Sequence, residues 1–242
     1  LDALAKAADI ADRLVVRKDG TLEPLYCIDG IISTVEDIAQ VETDLLLSFL
    51  GTRTMVEGKI VITAGAPIPE SEWRTLTEES MRGTIQASRI PPWRDVVNTV
   101  RTTYTSKDEE YAVVDGPVYM SEQFIKDKAQ FEQDYQTWLE LGNWRVPAPK
   151  RPEEKTLNIG LPYVSSPRQV QYIAYHLMKR SELGATIKRG ADIEMFRYTP
   201  GDIVREVYVG DLAEISGVYE IRRIADAEQQ NEYEIELLEF DN

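Results

Sequence analysis

The sequence predicts an α+β protein: a helix-plus-hairpin unit, then a small antiparallel β-barrel, and the two can interleave along the chain. Three observations carry this. Residues 33–51 and 166–184 have helix start and stop signals around apolar stripes of helical period. Residues 52–63 have the form of a β-hairpin. From residue 185 on, four strand-like runs follow one another, separated by Gly, Pro or polar turns.

Taken in order, residues 2–15 place Leu4, Ala7, Ala8, Ala11, Leu14 and Val15 on one face, which predicts a helix closed by the turn at 18–20. Residues 21–32 read as extended chain. The next helix, near 34–50, opens with Ser33 three residues before Glu36, a capping box in which each side chain satisfies the other's free backbone N–H. Val35, Ile38, Val41, Leu45 and Phe49 form its stripe, and Gly51 is its stop. The hairpin 52–63 turns at Glu57–Gly58. These elements predict an α+β subdomain over 1–82.

Residues 83–242 read as a barrel-type domain. "NTVRTTYT" (98–105) and "EYAVVDGPVYM" (110–120) are rich in β-branched residues, and the prolines of "IPPW" (90–93) make a connector before them. The stretch 121–157, an aromatic-striped, heavily charged helix running into a Pro-rich loop, is a surface excursion. A helix follows at 167–183, with Ser166 as cap, Pro167 at the first position and Gln169 completing a second capping box. Its buried face is Val170, Ile173, Ala174, Leu177 and Met178. The last run alternates Tyr233, Ile235 and Leu237 with Glu232, Glu234 and Glu236, one dry face and one wet.

The composition bounds the function. With 242 residues, 43% hydrophobic and 29% charged, the chain has the make-up of a globular protein. Its net charge of −15 repels phosphate, which argues against stable nucleic-acid binding. Nothing approaches the roughly 18–20 apolar residues of a membrane span. The start at Leu1 leads us to expect a piece of something longer.

Little in the sequence suggests catalysis. Cys27 is alone, so a disulfide framework and a cysteine-rich zinc site are excluded, and it reads as a small buried hydrophobe. His176 is the only histidine and has no metal-ligand neighbours at helical spacing. Carboxylate pairs come from Asp108, Glu109 and Glu110, from the cluster Glu228–Glu239, and from Asp202 with Asp211. Among 42 acidic residues such pairs arise by chance, so we expect no catalytic, cofactor-binding or metal-binding residue. In "YTPGDIV" (198–204), Pro200 presets the turn, Gly201 allows the bend, and Asp202 accepts a backbone N–H at the corner.

The order of these elements resembles the central hub domains of phage tail tip proteins, nearest to the tip attachment protein J type of lambda-like long-tailed phages, found also in prophages and gene transfer agents. The resemblance rests on "LEPLYCIDGIISTVEDIAQV", "GKIVIT", "NTVRTTYT", "SSPRQVQYIAYHLM", "YTPGDIV", "GVYEIRRI" and "YEIELLEF". It covers nearly the whole chain except 121–157.

The resemblance implies a non-enzymatic virion tail tip module with no cofactor, assembled in the bacterial host cytoplasm. Such hubs form trimers of copies at the tail's distal end and join the tail tube to the central fibre and neighbouring tip proteins. They serve host attachment, and their barrels ring a lumen through which DNA passes only transiently; an acidic wall there would let it slide. Expected interface residues are Phe124, Phe131, Tyr135, Trp138, Trp144 and Val146. The alternatives are a tail-associated cell-wall hydrolase domain, or a carbohydrate- or receptor-binding module suggested by Trp73, Trp93, Trp138 and Trp144.

Overall fold

The computed structural model describes every residue except 1, 18, 34, 57–58, 66–69, 89–95, 143–145, 193–194, 196, 227–231 and 241–242. The chain begins with α1 (Asp2–Ala11), β1 (Leu14–Val16), β2 (Leu22–Pro24), α2 (Ile38–Ser48), β3 (Thr52–Val56) and β4 (Lys59–Thr63). It continues with β5 (Arg74–Thr77), β6 (Met81–Ser88), β7 (Thr99–Ser106), β8 (Ala112–Asp115), β9 (Tyr119–Met120), α3 (Glu122–Glu140) and β10 (Thr156–Leu161). The last elements are α4 (Pro167–Glu182), β11 (Thr186–Asp192), β12 (Ile203–Val207), β13 (Gly217–Asp226) and β14 (Glu232–Glu239).

Both N-terminal helices are shorter than their sequence signals. α1 stops at Ala11 because Leu14, Val15 and Val16 pair with Leu22–Pro24 instead, where β-branched side chains are better accommodated. α2 opens at Ile38, capped by Asp37, whose side chain accepts the Ala39 N–H. The Ser33–Glu36 contact forms (Ser33 N–H to Glu36 Oε1, 3.3 Å) but closes a turn ahead of the helix. Val35 and Ile38, expected on the buried stripe, are therefore 90% and 83% exposed. At the other end Leu50, not Gly51, takes the left-handed conformation (φ 51°). Gly51 donates its N–H to Leu46 O at 2.7 Å and must lack a Cβ because the Phe49 ring fills that space. α1 packs on β4 of the β3–β4 hairpin.

The main sheet has the order β5-β12-β13-β14-β11-β6, with β5 parallel to β12 and the other neighbours antiparallel. β5 and β6 stand at opposite edges, yet only residues 78–80 join them, a reach of about 13 Å at most. The sheet therefore curls into a half-barrel around a core that includes Leu76, Ile187, Val204, Tyr219, Ile221, Ile235 and Leu237.

A second sheet centres on β7. β10 pairs with it in parallel, and β8 and β9 pair antiparallel along its other side. α4 covers one face, placing Val170, Ile173, Ala174 and Met178 against Val100, Tyr104 and Leu161. The protein is thus α+β, with both sheets built from strands far apart in sequence. β6 straddles residues 82 and 83, β5 belongs to the barrel sheet, and α4 packs on the β7 sheet. Pairing of strands more than a hundred residues apart decides this, and no local pattern encodes it.

Candidate functional site

Gly201 sits in the turn before β12 with φ +98°, and its N–H donates to Ile221 O at 2.7 Å. The Asp202 carboxylate accepts the Thr199 N–H at 2.8 Å, while its backbone oxygen accepts the Ile221 N–H at 2.9 Å. Pro200 is half-buried beside them. A Cβ at Gly201 would come within 3.2 Å of Thr63 on β4, so this turn is also where the hairpin meets the barrel.

α3 forms the outgoing limb of an arm. Ser121 caps it by accepting the Phe124 N–H, and Phe124 is buried in that first turn. Farther out, Phe131 and Tyr135 stack at 5.7 Å, and Tyr135 and Trp138 at 6.0 Å. Trp138 Nε1–H donates to Val146 O at 2.8 Å, which ties the returning chain to the helix. The structure brings Phe131, Tyr135, Trp138 and Val146 together and leaves Phe124 at the root; Trp144 lies outside the described residues. Gln123–Asp127, Gln130–Asp134 and Gln136–Glu132 hydrogen bonds run along the helix surface and support it locally.

Sequence reading missed the residue that fixes this arm. Asn98 O accepts the Ser121 N–H at 3.0 Å, its Nδ2 donates to Glu153 O at 2.8 Å, and its Oδ1 accepts the Lys155 N–H at 2.8 Å. The chain therefore leaves and returns through one asparagine.

A second missed group holds residues 22–30 across the start of α4. Gln169 was expected to complete a capping box. Instead it is buried, accepting the Cys27 N–H at 3.0 Å and donating to Ser48 O at 2.7 Å. Arg168 pairs with Glu23 and donates to Leu25 O. Asp29 accepts from Ser165 and pairs with Lys107 at 2.8 Å, and these contacts hold its carboxyl below the usual range. Burial pushes the neighbouring Cys27 thiol up.

The barrel encloses an ion pair. Arg189 and Glu206, both fully buried, meet at 3.0 Å, and Arg189 also donates to Ser80 O at 3.4 Å and Ser80 Oγ at 3.3 Å. Burial raises the Glu206 carboxyl, with Arg189 opposing it, and burial likewise raises the Tyr208 phenol beside it.

The other carboxylates expected from sequence are dispersed. Asp108, Glu109 and Glu110 are exposed in the turn after β7, Asp211 is exposed after β12, and Glu228 lies outside the described residues. Glu239 lines a cavity of about 380 Å³ at one end of the barrel together with Glu214. Among the described residues no three His, Cys, Asp or Glu side chains group as metal ligands, and no helix is long and apolar enough to cross a membrane. His176 packs edge-on to Tyr172 at 4.3 Å. Trp73 lies under Arg205 at the barrel and Trp138 on the arm, so these two indoles share no groove; Trp93 and Trp144 lie outside the described residues.

No protein-family model matches the sequence, and no curated protein matches it. Solved structures do. The chain is similar to one from the virion of a native gene transfer agent (GTA) particle, at 14% identity and a TM-score of 0.58, over 97% of this chain and 45% of that one. It is also similar to the tail protein from Neisseria meningitidis MC58, at 15% identity and a TM-score of 0.50, over 87% of this chain and 57% of that one. The chain spans about half the length of these structures. At such identities the likeness is one of fold, and the fold is one that occurs in a virion particle and in a tail protein.

Proposed function

We propose that this chain is a structural module of a phage-type tail. It is part of a tip hub that joins the tail tube to the central fibre and takes part in host attachment and DNA delivery. The observation that supports this best is the fold likeness over 97% of the chain to a protein of a virion particle. In this reading the module is non-catalytic and belongs to the J-like tip family. It works as a trimer when joined to the rest of its protein, and DNA meets it only in transit. The arm carrying Phe131, Tyr135, Trp138 and Val146, with Trp144, is its contact with neighbouring tip proteins. Units 1–82 and 83–242 remain a proposed division for the assembled hub. Immunogold labelling of particles with antibody to this chain tests it: label at the distal tail end is expected, and label elsewhere or on no particle overturns it.

A cell-wall hydrolase is the second reading, favoured only by the carboxylates of Glu214 and Glu239 at one cavity. It requires turbidity loss on purified peptidoglycan, abolished by E214Q or E239Q.

A further inference from the structure

The β7 sheet ends on β10 at one side and on β8 at the other, and among the described residues no strand pairs with the outer side of either. The ladders fix which groups these edges present. Thr99 N–H donates to Lys155 O, so odd-numbered residues of β10 bond toward β7, and Thr156, Asn158 and Gly160 turn their backbone N–H and C=O outward. Gly116 N–H donates to Thr102 O, and the same alternation leaves Val113 and Asp115 outward on β8. All of these residues are exposed, and among the described residues no hydrogen bond engages their outward backbone groups.

Natural sheets guard such edges with Lys, Pro, a bulge or inward-pointing charge. Thr156–Leu161 has none of these and pairs with β7 in unbroken register. Gly160 has no internal cause either, since a Cβ there would meet only Thr103 Oγ1, at 3.8 Å. A strand glycine of that kind marks a place where another chain comes close. The opposite edge of the same sheet supplies what fits. Register across β10, β7 and β8 puts Val113, Asp115, Asn158 and Gly160 on one solvent-facing side, away from α4. Val113 is 73% exposed there. Among the described residues, neither the Asp115 carboxylate nor the Asn158 amide is engaged.

We infer that β8 of one copy of this chain adds antiparallel to β10 of a second copy, with Val113 opposite Gly160 and Asp115 opposite Asn158. In that register the branched side chain covers the glycine and the amide donates to the carboxylate. Pro117, which has no N–H, falls opposite Thr156 and ends the ladder. β10 runs with β7 and β8 runs against it, so this contact gives both copies the same strand direction. It joins two different surfaces, leaves one edge open on each copy of a pair, and closes only as a ring. The inference rests on the assembly reading for the number of copies in that ring. The contact itself is tested on this chain alone, so it can fail while the location at the tail tip stands.

The test is sedimentation of the isolated chain at up to about 1 mM, with amide exchange followed at Val113, Asp115, Asn158 and Gly160. The wild type is expected to self-associate and to slow exchange at those amides as concentration rises. Val113→Pro and Asn158→Pro each remove an outward N–H that the chain's own ladder does not use. Each should sediment as a monomer, and their equimolar mixture should form a one-to-one dimer and nothing larger. Asn158→Asp sets two carboxylates together and should associate about three- to five-fold more weakly, and Asp115→Asn/Asn158→Asp should restore the wild-type value. This last pair decides the matter if a proline variant does not fold. No association at the highest concentration, association of either proline variant alone, or a double variant no stronger than Asn158→Asp overturns the inference.

Discussion

Arg189 on β11 and Glu206 on β12 meet at 3.0 Å inside the barrel, although two strands, β13 and β14, lie between theirs in the sheet. Only a curled sheet brings these positions face to face. Because Arg189 also holds Ser80, between β5 and β6, one guanidinium spans three separate parts of the barrel wall. Arg189→Met leaves a buried carboxylate unpaired and should cost about 3–5 kcal/mol. The double variant Arg189→Met/Glu206→Leu should recover most of that loss. Urea denaturation of the three proteins checks this, and an additive loss in the double variant would contradict the pairing.

Asn98→Ala removes both side-chain bonds that gather the roots of the arm. A loss of about 1–3 kcal/mol is expected, with faster amide exchange at Lys155. Unchanged exchange there would mean that the backbone contacts alone hold the root.

The arm beyond its root should be separable from the cores. Trp138→Ala removes the stack on Tyr135 and the bond to Val146 O. It should speed exchange in α3 while lowering global stability by less than about 1 kcal/mol, since the outer helix buries nothing in either core. Assembly of the full-length protein should suffer more than folding. A large drop in the unfolding midpoint would make Trp138 a core residue.

Gly201→Ala meets two obstacles, a positive φ and the Thr63 side chain. A cost of about 1–3 kcal/mol is expected. Pairing it with Thr63→Ala should recover the steric part and leave the backbone part, measurable as a double-mutant cycle.

Asp29 sets a pH dependence. Hydrogen bonds from Lys107 and Ser165 lower its folded-state pKa below the ordinary 3.8. Its contribution to stability is therefore complete above pH 3.8 and is lost as pH falls through the lower folded value. Asp29→Asn lacks it, so the gap in unfolding midpoint between wild type and variant should be constant from about pH 5 to 7 and close in acid. A constant gap down to pH 2 would exclude this role.

The sequence by itself determined the elements whose causes are local. α4 starts at Pro167 after a Ser166 cap, and the hairpin strands Thr52–Val56 and Lys59–Thr63 fall where the β-branched runs place them. β14 shows the alternation of its residues, with Ile235 and Leu237 inside the barrel. The turn before β12 likewise has the Asp202 contact that its residue types favour.

The tertiary structure alone decided the rest. Glu36 reaches Ser33 but also Tyr163, more than a hundred residues away, and the helix begins only at Ile38. Gln169 looks like a cap in sequence and serves as a bridge in space, because Cys27 and Ser48 arrive beside it. Arg189 and Glu206 meet only because the sheet curls, and no local signal pairs them. Helix and turn signals act over a few residues and are written where they act. Strand order, sheet closure and the partners of buried polar groups depend on which distant segments meet, and that is settled by the packing of the whole chain.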